Sequence, residues 1–548
     1  MDTPAPLDLV FAYHERTKHQ PQRYAASLGY MDWATQPSPF RTYEGAEQIV
    51  LDHPPVEAEP TYDQLFSGAA LPVSPLTREA ISRLFYDSLA LSAWKQAPGT
   101  SPWSLRVNPS SGALHPTEGY LIAGPVPALS AEPGIYHYAP YSHALERRSA
   151  LSRSDWAELT RSLPAPCVLV GLTSIYWRES WKYGERAFRY CQHDVGHAIG
   201  TLSFAARTLG WQARLLDSIS TDDLARLLGV HTQQGAEAEH ADCLLVLYPD
   251  NATQPPSPAW DLNLAGLTPS FVGQPNRLSK EHHDWPIIDA VGAATRHPGQ
   301  PLSLPRLLPL SPAGPDRMAP AAQIIRQRRS AVDMDGQTSL PMTSFYQMLE
   351  RVIPGRHAVP FAVLPWRPSV SLLLFVHRVT GVEPGLHLLV RHPDHEPSLR
   401  AHIRQDAAWT RPAGCPANLP LYLLVAGDAR RVAKLVSCQQ DIAAAGVFAA
   451  AMLCEFEPRL HSAGPSFYPR LFWETGLIGQ LLYLEAEAAG IRATGIGCFF
   501  DDTTHHYAGL EDRAWQDLYH FTLGGPVEDP RLKTIAPYAH LHSIAASA

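Results

Sequence analysis

The sequence predicts an α+β fold built twice in tandem. Three observations carry this. Strand-like runs rich in Val, Leu and Tyr are mixed with amphipathic helix-like stretches. At 548 residues the chain exceeds what one ordinary hydrophobic core organises. A weak internal repeat relates its two ends.

The repeat is read element by element. EPGIYHY (Glu132 to Tyr138) precedes the apolar run CVLVGL (167–172) in the first half, and EPGLHLL (Glu383 to Leu389) precedes LYLLVAG (421–427) in the second. A helix-like stretch follows each, QHDVGHAIGTLSFAARTLGW and WETGLIGQLLYLEAEAAGI. Each carries an acidic residue two positions before a glycine, Asp194 and Gly196 against Glu474 and Gly476, and ends on a C-capping glycine, Gly210 or Gly490. The resulting division is an N-terminal extension (1–80), a first half (81–250), a connector (251–320) and a second half (321–548). The connector is rich in Pro, Gly and Ser, with QPPSP, HPGQP, LPRLLPLSP and AGPDR. Its KEHHDWPIIDAVGAAT stretch is expected to form a helix and to pack on the surface.

Composition narrows the function classes. Hydrophobic residues make up 45% and charged residues 18% of the chain, the balance of a globular protein, with 51 prolines as the outlier. A net charge of −9 without any large Lys/Arg cluster argues against a nucleic-acid partner. The short group Arg326 to Arg329 suits a single phosphate, the scale of a cofactor. The N-terminus, MDTPAPLDLVFAYHERTKH, lacks a signal-peptide pattern and no long apolar run occurs, so a cytosolic protein without a membrane partner is expected. The seven cysteines form no CxxC pair, so neither a disulfide framework nor a thiolate zinc site is expected.

The first chemical candidate is SLRVNPSSGALHPTEGYLI, Ser104 to Ile122. Its turn of Pro109, Ser110, Ser111 and Gly112, between Arg106 and Leu114, presents backbone N–H groups and two hydroxyls, and Gly112 lets a ligand approach the main chain. An ordinary turn would read the same way.

Together with YHERTKH, WKYGERAFRYCQHDVGHAIG, GQPNRLSKEHHDWPIIDA, QRRSA and GIGCFFDD, this segment resembles the nitroreductase-fold flavoenzymes, specifically the SagB/ThcOx-type dehydrogenases that oxidise azoline rings in ribosomally made peptides. The resemblance spans nearly the whole chain. In that fold two α+β subunits form a dimer with FMN at their interface, so it implies here two nitroreductase-like halves fused as an intramolecular pseudo-dimer, with no further oligomer needed to complete the site.

The resemblance also assigns residues. Arg328-Arg329-Ser330 matches the family's Arg-x-Ser phosphate motif, although the further basic residue expected two positions on is Val332. Arg531 and Lys533 resemble the C-terminal basic pair that completes that site. Gly495, Ile496 and Gly497, in Thr494 to Cys498, resemble the strand beside the flavin ring. RLLDS in the first half and LPWRPSVSL in the second stand where TGIGC and VNPSSGAL stand in the opposite halves, so one FMN per chain is expected and the mirror-related site should be empty. Lys182-Tyr183, read as entering the long helix, matches the family's catalytic pair for deprotonation. An ordinary Lys has a pKa of about 10.4 and Tyr about 10, so burial would have to depress the lysine for it to act as a base.

Three alternatives stay open: a reductase using NAD(P)H transiently, a non-catalytic flavoprotein scaffold in a peptide-modifying complex, and metal hydrolysis. The last rests on His193-Asp194-Val195-Gly196-His197, two histidines four apart as in HExxH, but with a shorter acid and a helix-weakening glycine. The substrate, a peptide or a small molecule, is not fixed by these motifs.

Overall fold

Two antiparallel sheets and two long helices between them set the frame of the computed structural model, which describes residues 4–68, 70–255, 260–302, 318–355 and 359–541. Helix α1 (Pro6–Arg16) opens the chain. The first half then contributes β1 (Glu47–Val50), β2 (Thr117–Ala123), β3 (Gly134–Ala139), β4 (Ala144–Ala150), β5 (Val168–Ser174), α2 (Tyr176–Tyr183), α3 (Ala187–Thr208), β6 (Trp211–Leu216), α4 (Thr221–Leu228) and β7 (His240–Pro249). Helix α5 (Pro286–Ala294) follows in the connector, whose runs 256–259 and 303–317, including LPRLLPLSP and AGPDR, lie outside the described residues. The second half contributes β8 (Val370–Val376), β9 (Gly385–Leu389), β10 (Leu421–Ala426), β11 (Phe448–Glu455), α6 (Tyr468–Ala488), β12 (Arg492–Ile496), α7 (Asp501–Ala508) and β13 (Trp515–Gly524).

The sheets run β1-β4-β3-β2-β5-β7-β6 and β10-β9-β8-β11-β13-β12. Apart from the added β1, strand follows strand in the same order. This corrects the sequence alignment of the repeat at one place. CVLVGL forms the central strand β5, but its counterpart is β11, FAAAMLCE, whereas LYLLVAG forms the edge strand β10 and matches β4. Alanine is a weak strand former, so a run of three alanines gives little β signal, although the strand is buried throughout except at its last residue.

Helix α3 is buried at every residue and α6 at all but its last two, the pattern of helices with protein on all sides. They cross at the paired glycines. A Cβ built on Gly196 would lie 2.4 Å from the Trp473 carbonyl oxygen and 2.9 Å from the Gly476 Cα, and one on Gly476 would lie 2.2 Å from the His193 carbonyl oxygen. Only bare backbone permits this approach. Phe188 and Tyr468, at equivalent positions, stack parallel across the same axis at 6.3 Å.

The duplication also reaches two segments outside the halves as read from sequence. Thr17 Oγ1 donates to the Tyr13 carbonyl at the end of α1, and Thr295 Oγ1 to the Val291 carbonyl at the end of α5, both at 2.8 Å. His19 N donates to Asp501 Oδ2 and His297 N to Thr221 Oγ1, at the first residues of the equivalent helices α7 and α4. Lys18 pairs with Asp502 as Arg296 pairs with Asp222. The tripeptides Thr17-Lys18-His19 and Thr295-Arg296-His297 are therefore copies of one capping device.

Helix α1 also ties the halves together. Tyr13 donates to the Glu185 carbonyl at 2.7 Å, while Arg186 and Arg189 reach Asp501 at 3.1 and 2.8 Å. A separate small sheet pairs Lys533–Ile535 from the C-terminal tail with Leu91–Gln96 of the first half, which pairs in turn with Trp103–Arg106.

Candidate functional site

A cleft of about 450 Å³ lies between the halves. Of the residues expected at the site, Arg106, Pro109, Ser110, Ser111, Gly112 and Tyr183 line it from the first half, and Arg328, Arg329, Ser330, Gly495, Ile496 and Gly497 from the second.

The loop Asn108–Gly112 is held in an unusual shape. Gly112 has φ +59°, and Ala113 and His115 also occupy positive φ, a conformation that costs non-glycine residues about 1 kcal/mol or more and persists only where surroundings enforce it. The enforcing group is Asp194. Both its carboxylate oxygens accept from Ser111 N at 3.1 Å, and Oδ1 also accepts from Ser111 Oγ. Burial pushes its pKa up to about 7, against the opposing pull of the Ser110 and Ser111 hydrogen bonds. The sequence shows Asp194 in the repeat and in the HDxxH pattern, but not its contact with the Asn108–Gly112 loop. Its counterpart Glu474 accepts from Ser369 N at 2.8 Å, so loop and clamp were duplicated together.

Lys182 and Tyr183 stand at the tip of this loop. They close α2 rather than enter the long helix, a correction that follows from Gly184, whose φ of +54° terminates α2. A Cβ on Gly112 would lie 2.6 Å from the Tyr183 hydroxyl and 3.0 Å from Lys182 Nζ. Gly112 thus makes room for the pair. Burial raises the Tyr183 phenol well above its ordinary range, with the nearby Glu179 adding to the shift, so it stays protonated. Glu179 is itself buried with neither carboxyl oxygen hydrogen-bonded, and burial, reinforced by Asp194, raises its pKa well above the usual carboxylate range. An acid, an amine and a phenol are gathered on one turn of helix.

The opposite wall is the glycine strand. A Cβ on Gly495 would lie 2.2 Å from the Tyr519 hydroxyl, and one on Gly497 2.1 Å from Tyr190 Cε1. Tyrosines 183, 190 and 519 thus press against three glycines around the cleft. Gly495 N–H donates to the Tyr483 hydroxyl at 3.0 Å, and Tyr483 also bonds Ser330 Oγ at 2.8 Å.

At the cationic end, Arg328 is buried, with Nη2 donating to the Arg106 and Val107 carbonyls at 3.1 Å and Nε without a partner. Arg329 donates to the Ser92 carbonyl at 2.7 Å; burial, then the neighbouring Arg328, lowers its pKa to about 10. Lys95 and Arg492, which the motifs did not single out, line the same end. Arg106 braces the loop from behind through the Thr117 and Pro39 carbonyls.

Three expected residues stand elsewhere. Leu114 is buried among Ile175, Trp177, Trp181 and Leu278. Arg531 is exposed and paired with Asp529 at 2.8 Å, and Lys533 is exposed on the C-terminal strand. In the HDVGH pattern, His193 bonds Thr475 and His197 bonds Tyr519, and no cluster of three or more His, Cys, Asp or Glu among the described residues is placed to hold a metal.

On the mirror-related side the first-half strand carries Leu215 and Leu216, both buried, and the segment Phe361–Val363 packs directly on that strand, with Trp366 buried beside it.

No family model matches the chain. Over 144 residues it is 29% identical to a protein of Methanocaldococcus jannaschii assigned by name to the nitroreductases, covering 25% of this chain and 66% of that protein. Over 110 residues it is 34% identical to the trifolitoxin-processing protein TfxB of Rhizobium leguminosarum bv. trifolii, covering 19% and 29%. A crystal structure from Anabaena variabilis, of a protein likewise assigned by name to the nitroreductases, covers 95% of this chain and 99% of its own at a TM-score of 0.67 and 20% identity. The chain therefore has the nitroreductase fold, α+β and in tandem. No helix among the described residues is long and apolar enough to cross a membrane.

Proposed function

We propose that this chain is a cytoplasmic FMN-dependent oxidoreductase of the SagB/ThcOx type, which oxidises azoline rings of a ribosomally made peptide to azoles and holds one FMN per chain. One observation carries the reading: Lys182 and Tyr183 meet the PSSG loop of their own half in a cleft whose other wall is the RRS and glycine strand of the second half. The buried Leu215 and Leu216, standing where the second half has glycine and isoleucine, support the single equivalent. Similarity to a trifolitoxin-processing protein supports a peptide substrate and other peptide-modifying enzymes as partners.

The residues fit FMN. Arg328, with its buried unpartnered Nε, Arg329 and Ser330 offer a phosphate charge-assisted donors, and Gly112, Gly495 and Gly497 line the cleft where a planar ring would lie. Arg531 and Lys533 are left outside this assignment by their exposure. When bound, FMN supplies the two-electron acceptor. The chain manages the proton. Lys182 Nζ, beside Gly112, would take it from the ring carbon, and the Tyr183 hydroxyl, kept protonated, would donate to the substrate and fix its orientation. Asp194 keeps the loop in the shape that presents both.

Anaerobic titration tests this. Bleaching of the flavin by an azoline-containing peptide without nucleotide, lost in Lys182→Ala while the flavin stays bound, is the expected result. Bleaching only by NADPH would instead favour a reductase, the reading that similarity to proteins assigned as nitroreductases supports. A flavin that neither reagent bleaches would leave the scaffold role.

A further inference from the structure

A second cavity of about 450 Å³ lies under α5, away from the flavin cleft, and the duplication explains why it exists. In the second half the equivalent space is full. Tyr13 and His14 of α1 enter it, His14 lying 4.3 Å from the Phe456 ring and bonding Tyr468 and Gln516, and the guanidinium groups of Arg186 and Arg189 occupy the rest around Asp501. In the first half each of these is replaced by something smaller. The matching caps at Thr17 and Thr295 set Val291 and Gly292 opposite Tyr13 and His14. The crossing of α3 and α6 at Gly196 and Gly476 likewise sets Ser466 and Pro469 opposite Arg186 and Arg189. Helices α4 and α7 put Thr221 opposite Asp501. The space opens to solvent past Ala293 and Arg296, both exposed, instead of closing as a packed interior does.

Its walls are chemically specific. His240 lies flat on Tyr176 at 4.0 Å, and Phe188 and Trp473 add two more aromatic faces. Trp473 Nε1 donates to Gln192, whose amide donates to Asp242, so these polar groups are already satisfied. Arg470 is not. It is 3% exposed, lies over the Trp366 face at 5.3 Å, and makes no hydrogen bond or ion pair among the described residues. Its Nε is buried without an acceptor, which is costly, and an arriving carboxylate would offer the guanidinium a paired hydrogen bond. Asp217 attracts Arg470 without bonding to it, and Asp242, on the same cavity wall, has its pKa raised to about 7 by burial.

We propose that this cavity is a second ligand site, which takes an aromatic group carrying a carboxylate, with the ring between Tyr176, Phe188 and Trp473 and the carboxylate on Arg470. The carboxylate can belong to a free aromatic acid or to the aromatic C-terminal residue of a peptide. The inference needs no redox chemistry, so it stands or falls separately from the flavin reading.

Calorimetry on the FMN-loaded protein tests it with three probes: 3-phenylpropionate, acetyl-Gly-Phe acid and acetyl-Gly-Phe amide. Binding of one acid per chain, at least tenfold tighter than the amide, is expected, and which acid binds identifies the source. Arg470→Gln should weaken that binding at least tenfold with flavin content unchanged. Ala293→Trp, on the exposed edge of α5, should block the cavity to a similar degree and carries the test if the arginine variant fails to fold. Failure of both acids to bind, or wild-type affinity in Ala293→Trp, would overturn the proposal.

Discussion

Gly196 and Gly476 face each other where the two buried helices cross, each leaving no room for a Cβ on the other. In an exposed helix, replacing glycine by alanine stabilises by about 1 kcal/mol. Here the sign reverses. The atoms that a new methyl would meet are backbone, at 2.4 and 2.2 Å, and cannot rotate away. Gly196→Ala should lower stability by about 1–3 kcal/mol, the usual cost of overpacking. Urea unfolding measures it, and a variant at least as stable as the parent would show that the crossing is not tight.

The cationic end of the cleft makes a sharper test of which cations matter. Arg328 is buried with an unpartnered Nε, whereas Arg531 is exposed and already paired with Asp529. Arg328→Met should weaken FMN binding about tenfold to a hundredfold, the loss of one or two charge-assisted hydrogen bonds. Arg531→Ala should leave the affinity near that of the parent. Fluorescence titration of the apoprotein with FMN compares them, and equal losses in the two variants would return the C-terminal pair to the site.

How much of this was legible beforehand follows from the kind of signal each feature leaves. PSSG, RRS and TGIGC are local strings, and the cleft brings all three together. The long helices announced themselves through apolar runs ended by Gly210 and Gly490, both at positive φ in the structure. Asp194 could be seen as half of a repeat, but its bond to Ser111 joins residues far apart in sequence, and no string shows that. The Thr17-Lys18-His19 copy at Thr295 escaped because α1 and α5 share little beyond the cap, one filling its groove with Tyr13 and His14 and the other leaving it to Val291 and Gly292. The same divergence that hid the repeat opened the second cavity.

Asp194 should also leave a mark on pH-dependent stability. Its folded pKa is about 7 against an ordinary value of 3.8, so between those limits the folded state holds a proton that the unfolded chain has released. Stability from this group therefore falls as pH rises through that window and levels off above about 7. Asp194→Asn removes the slope. Unfolding at pH 5.5 and pH 8 should show a smaller loss at high pH in the variant than in the parent, with Asp242, also raised to about 7, sustaining part of the trend. An unchanged difference between the two pH values would mean that the carboxyl is ionised throughout.

The last test separates donor from base within the proposed catalytic pair. Tyr183 is kept protonated by burial and by Glu179, and its hydroxyl reaches the tip of the PSSG loop beside Lys182 Nζ. If the amine takes the proton and the phenol only donates a hydrogen bond, the two side chains fail differently. Lys182→Ala removes the acceptor and should cost about 10²–10⁴ in turnover, the range of general-base catalysis. Tyr183→Phe removes one neutral hydrogen bond of about 0.5–1.5 kcal/mol, so it should cost about tenfold or less, chiefly through weaker substrate binding, with flavin content unchanged. Steady-state kinetics with an azoline peptide distinguishes the cases. A loss in Tyr183→Phe as deep as that in Lys182→Ala would move the proton-transfer role onto the phenol.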